Sequence, residues 1–108
     1  MTAAPALVES FTNVVSMRAA RLVAAAFVGT LRFVDPRLDE RRTIAVDGSL
    51  WGGYPGIEGL VREALAELLG RERADRVEIA FVKDSTSAGA AVIAAVAAAQ
   101  RSEGCSSA

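Results

Sequence analysis

Two clusters of small polar and acidic residues stand where short apolar runs break off. One is Asp47-Gly48-Ser49, after Thr43–Val46; the other is Asp84-Ser85-Thr86-Ser87, after Val77–Lys83. Turns of this kind at the carboxyl ends of strands are where α/β sheets bind ligands. The Ser49 hydroxyl can hydrogen-bond a hydroxyl or phosphate oxygen, and Gly48 lets backbone approach a flat ring closely. Taken alone, Asp47-Gly48 also suits a plain tight turn, and Asp84 to Ser87 suit a helix cap.

Chemistry beyond binding is poorly provided for. The chain has no histidine, which removes the commonest general base and the commonest metal ligand. It has no P-loop and no Gly-x-Gly-x-x-Gly. Asp47 and Asp84 could approach a metal-bound phosphate, but both serve equally as turn or cap residues. No residue is assigned as catalytic or as a metal ligand. The one cysteine, Cys105, cannot form an intramolecular disulfide and reads as a tolerated tail residue in a reducing compartment.

The elements that must position these turns read α-β-α-β-α. A first helix runs from about Leu7 to Phe33, with Val15, Ala19, Leu22, Val23, Ala26 and Phe27 on one face. Asp35-Pro36 ends it. A charged loop then leads to a strand at Thr43–Val46. Gly48, Gly52, Gly53, Pro55 and Gly56 mark a turn and helix entry. In the second helix Ile57, Leu60, Val61, Ala64, Leu65, Leu68 and Leu69 keep helical spacing, and Gly70 stands at the cap. A second strand spans Val77–Lys83. The last helix, from about Ala88, is small-residue-rich on every side, which predicts burial against a sheet or another helix. A Ser/Gly tail over 101–108 reads as flexible, leaving 1–100 as the structured part.

Length and composition bound the alternatives. A chain of 108 residues holds one small domain, and 52% hydrophobic with 23% charged residues is a globular composition. A net charge of −1, with the arginines scattered among acids, offers no field for nucleic acid or anionic lipid. Val14 to Val34 is apolar but carries Arg18, Arg21 and Arg32, and Ala88 to Ala99 is shorter than a span of about 20 residues. No membrane span is expected, and the chain is placed in the cytoplasm.

Strand–helix–strand at this spacing implies two parallel strands joined by a crossover. Parallel strands are normally covered by helices on both faces. Each buried aliphatic side chain contributes about 1.5–3 kcal/mol, whereas ordering each residue costs about 1–2 kcal/mol of backbone entropy. Two strands with open edges therefore need more sheet, and self-association through the exposed edges is one way to obtain it.

The ordered residues Ile44-Ala45-Val46-Asp47-Gly48-Ser49-Leu50-Trp51, Tyr54-Pro55-Gly56 and Lys83-Asp84-Ser85-Thr86-Ser87-Ala88-Gly89-Ala90-Ala91 resemble the carboxyl end of eukaryotic-type hexokinases. That family's pattern is strand, Asp-Gly-Ser, an aromatic, then an aromatic or His before Pro. A helix and a strand follow, then Asp-Gly-Ser-Gly-x-Gly-Ala-Ala opening the final helix. The helix through Arg18 and Arg21 is similar to the family helix before the first strand, so the resemblance covers about Val14 to Gln100.

The resemblance implies a portion of the ribonuclease-H-like fold of sugar kinases and actin, with parallel strands covered by helices. It implies ATP with Mg2+ as cofactors and transfer of the γ-phosphoryl group to the 6-hydroxyl of a hexose such as glucose. It places the adenosine-binding region at Asp47, Gly48, Ser49, Leu50, Trp51, Gly52 and Gly53, with Asp84, Ser85 and Thr86 beside it. Trp51 is either a wedge against the nucleotide or a core side chain. Ser85 and Ser87 depart from the family's glycines, and are either strained at positive φ or useful as caps.

The family's phosphate-binding hairpin, sugar-binding segments and catalytic aspartate have no counterpart here, and phosphoryl transfer needs such positioning. ATP is therefore the expected partner of this chain, and a hexose only of a complete protein. Two readings stay open. One is a piece of an ATP-dependent hexokinase whose activity belongs to the whole; the other is a non-catalytic nucleotide-contacting or interaction module.

Overall fold

The central pairing is parallel. In the computed structural model, which describes residues 3–106, β1 (Arg42–Val46) lies beside β2 (Val77–Phe81) with Ile44 opposite Ile79 and Val46 opposite Phe81. The helices are α1 (Ala3–Val34), α2 (Ser49–Gly53), α3 (Ile57–Leu69), α4 (Arg71–Ala74) and α5 (Ser85–Ser106). The expected α/β order holds. The short α2 and α4 are additions within stretches read as turn and loop. The side chain of Cys105 lies outside the described residues.

Strand alternation sorts the sheet into two faces. Val77 and Ile79 are buried and Ile44 and Val46 half-buried on one face, while Thr43, Ala45 and Glu78 are exposed on the other. Helix α3 seats Ile57, Val61, Ala64, Leu65 and Leu69 in the core beside them, as its periodicity predicts. Leu60 is half-buried and Leu68 exposed, at the margins of that stripe. Gly70 ends α3 at φ 81°, ψ 152°, a positive φ that glycine adopts without strain.

Three expectations need correction. The first is the core face of α1, which consists of Ser16, Ala20, Ala24, Val28 and Leu31. Val23 and Phe27 flank it, but Val15, Ala19, Leu22 and Ala26 face outward. The helix is apolar around much of its girth, so periodicity selects poorly. Small Ala20 and Ala24, both fully buried, let α3 approach closely and decide the matter.

The second concerns α5. It is exposed along almost its whole length, Val92, Ile93 and Val96 included, instead of being buried. It also begins at Ser85 and continues to Ser106, so the stretch expected to be a flexible tail is helical as far as it is described. The third follows from it: among the described residues the sheet is covered on one face only, since α5 is exposed almost from its start. A radius of gyration of 20.1 Å measures the result, against about 13 Å for a compact chain of this length.

Helix α1 is long and apolar enough to cross a membrane by length and composition. It nevertheless carries Arg18, Arg21 and Arg32, and its second half packs on α3 as a core helix does. The charged loop after it is ordered. Leu38, read as loop, is buried at φ 52°, and its carbonyl accepts a hydrogen bond from Arg76 at 2.9 Å. Asp35 accepts from the Glu40 amide and from Arg42, both at 3.4 Å. Desolvation raises the Asp35 pKa, but those two groups and the Asp39 amide outweigh it and hold the carboxyl below its ordinary value.

Candidate functional site

Both polar turns leave the same end of the sheet. The ladder extends one step past β2, where the Val82 amide donates to the Val46 carbonyl at 2.9 Å. Beyond it the chain turns at Gly48, whose φ 143° and ψ 143° lie in a region that glycine alone occupies easily. Helix α2 follows and is held to α1 at its middle and just past its end. Trp51 packs on Phe27 of α1 with ring centroids 6.3 Å apart. Ser16 donates to the Thr12 carbonyl at 2.7 Å, so the Tyr54 hydroxyl is the donor in its hydrogen bond to Ser16.

Asp47 joins the two turns. Its Oδ2 accepts from the Ser85 hydroxyl at 2.7 Å and from the amide and hydroxyl of Thr86, both at 3.0 Å. The last helix is thus capped by a carboxylate from the other loop, 39 residues away in sequence. The amide of Thr86 is one of the unsatisfied donors of the first turn, where the helix dipole also favours a negative charge. These hydrogen bonds, the Ser85 hydroxyl foremost, hold the Asp47 carboxyl below its ordinary pKa.

This arrangement resolves the departure at Ser85 and Ser87. Both lie inside helix α5, so neither is strained, and the positive φ falls on Asp84 at 56°. Aspartate tolerates that conformation better than most residues. The side chain of Asp84 is accordingly no cap for α5; its carbonyl accepts the first helical bond, from the Ala88 amide at 3.1 Å.

A cavity of about 330 Å3 opens between the two turns, lined by Asp47, Gly48, Ser49, Gly52, Phe81, Lys83 and Asp84. Five of these are candidates named from sequence. Ser85 and Thr86 do not line the cavity and are tied to it by their hydrogen bonds to Asp47. Leu50, Trp51 and Gly53 do not line it: Leu50 is exposed at the surface, and Trp51 is half-buried against the core.

Two lining residues escaped the sequence reading. Lys83 is the only lysine of the chain, a signal available beside Asp84. Phe81 gave no such signal, because a strand phenylalanine ordinarily reads as core. Its ring lies against Gly52, where a Cβ would come within 2.8 Å of the ring Cζ. A side chain at 52 would therefore displace the Phe81 ring, and glycine there is favoured by close approach and not by its backbone angles.

Among the described residues no three His, Cys, Asp or Glu side chains come together to hold a metal ion. Oδ2 of Asp47 already accepts from three donors, but a Mg2+ ion held by one or two carboxylates together with substrate phosphates needs no such cluster.

Fold and site define an α/β protein with a ligand-sized cavity at the carboxyl ends of two parallel strands. The family model described as hexokinase matches residues 2–96. Hexokinase-3 of Oryza sativa subsp. japonica is 37% identical over 109 residues, covering 90% of this chain and 22% of its own length. Hexokinase-4, chloroplastic, of the same organism is 41% identical over 83 residues, covering 72% of this chain and 16% of its own length. Hexokinase-2 of Arabidopsis thaliana is 35% identical over 94 residues, covering 82% of this chain and 19% of its own length. The chain belongs to the hexokinase family, and it spans about a fifth of the length of these relatives.

Proposed function

We propose that this chain supplies the adenosine-binding region of an ATP-dependent hexokinase of the ribonuclease-H-like fold. The whole enzyme would transfer the γ-phosphoryl group of ATP to the 6-hydroxyl of a hexose such as glucose. The observation that carries this reading is the convergence of the Asp47-Gly48-Ser49 and Asp84 turns on one cavity at the sheet's carboxyl edge. Its volume falls within the range of about 300–1,000 Å3 usual for small-molecule sites. Open backbone at Gly48, the Ser49 hydroxyl and the Phe81 ring suit a nucleoside: a ring against an apolar wall, a ribose within reach of a hydroxyl.

The chain's own residues bind and orient; they do not carry out the transfer. Oδ2 of Asp47 accepts three hydrogen bonds from Ser85 and Thr86, so that oxygen is committed to capping α5 and not to a substrate proton. That engagement also favours a second reading, a nucleotide-contacting module without catalysis of its own. Both readings share the nucleotide.

Titrating ATP into the chain while following backbone amide resonances tests the shared part. Shifts centred on Gly48, Ser49, Gly52 and Lys83 are expected, and shifts elsewhere or none at all would refute it. A coupled assay for glucose-dependent ATP turnover tests the division of labour: the 108-residue chain alone should show none.

A further inference from the structure

Phe81 is the anomaly of β2. Alternation puts it on the same face as Val77 and Ile79, yet those two are buried and Phe81 is 44% exposed. Helix α3 covers the earlier strand positions, and the core ends before the last. A large apolar ring is thus left bordering a cavity of ligand size, resting on a glycine whose missing side chain makes room for it.

The charges around the cavity narrow what it takes. Two carboxylates, Asp47 and Asp84, line it against one ammonium, Lys83. A polyphosphate gains little there, because the negative groups outnumber the positive one. A flat uncharged base gains a stacking surface in Phe81, and Gly48 and Gly52 put no side chain in its way. The geometry points to Phe81 as the residue that gives this cavity its specificity: it stacks a nucleobase, and the cavity recognises the nucleoside while the phosphates stay outside. The inference rests on the adenosine-binding region proposed above and names the residue that reads its base.

Calorimetric titration of the full 108-residue chain with adenosine and with ATP tests it. Comparable affinities for the two are expected. Phe81→Ala should weaken both by about ten- to a hundredfold, the range that loss of an aromatic stacking partner produces. Phe81→Leu keeps an apolar side chain in place and should lose the affinity as well, whereas Phe81→Trp should keep it. Gly52→Ala leaves Phe81 intact but forces its ring to move, and should also weaken adenosine, with circular dichroism reporting that the variant is folded. Undiminished adenosine binding in Phe81→Ala would overturn the inference. Binding of ATP without binding of adenosine would overturn it too, while leaving the nucleotide site standing. Binding of neither would end both.

Discussion

Gly48→Ala isolates the backbone contribution of the first turn. At φ 143° and ψ 143° an L-residue is strained, and a conformation of that class costs about 1–3 kcal/mol. Beyond its own chain neighbours a Cβ at this position would meet no atom within 4 Å, so the cost is local backbone strain and none of it comes from tertiary contact. Gly53 provides the control. It ends helix α2 at a negative φ, also with nothing within 4 Å, so Gly53→Ala should stabilise by about 0.5–1 kcal/mol. Neighbouring glycines in one short segment should therefore respond to the same substitution with opposite signs. Urea unfolding followed by the fluorescence of Trp51, the only tryptophan, reads both variants, because that ring packs on Phe27 against the core. Since 1.4 kcal/mol is a factor of about ten, Gly48→Ala should lower the folding equilibrium constant by about five- to over a hundredfold. A Gly48→Ala variant as stable as the parent would refute the strained-turn argument and loosen Asp47 from its assigned place.

Three further outcomes follow from the same structure. The folded Asp47 binds its proton more weakly than the ordinary 3.8, so its stabilising contribution is present above that value and fades as pH falls below it. Asp47→Asn should flatten that part of the acid limb in a pH series of melting temperatures, leaving the share due to Asp35; an unchanged limb would contradict the cross-loop cap. Leu65→Ala, at a fully enclosed position, should cost about 2–5 kcal/mol and show as a large loss of urea midpoint, whereas Leu68→Ala should change it little. The accessible surface is 8205 Å2, against about 5,700 Å2 for a compact protein of 11.2 kDa, an excess larger than a standard interface of about 1,600 Å2. Light scattering should accordingly find species heavier than the monomer at micromolar concentration, and a clean monomer with a sharp melt would count against the open-sheet argument.

Much of the chain was legible wherever local physics is one-sided. The α3 stripe from Ile57 to Leu69 and its Gly70 cap needed only helical periodicity and the permissiveness of glycine. The parallel pairing followed from the strand–helix–strand spacing, and the Asp-Gly-Ser turn from composition alone. Where several faces were equally apolar the pattern lost its power. In α1 it chose Val15 and Leu22 over Ala20 and Ala24, because size complementarity with α3 is invisible in one helix's own sequence.

Amino-acid order by itself determined where α3 and the two strands lie, that polar turns close those strands, and that the chain carries no histidine. Tertiary structure alone decided what those turns do to each other. Asp47 could not be known as the cap of α5 until folding brought Thr86 within 3.0 Å, since that contact spans 39 residues. Nor could Phe81 be known as a cavity wall until the strand outran α3 and Gly52 came beneath the ring. Hydrogen bonds and close packing act over a few ångströms in space, and separation along the chain does not report that distance.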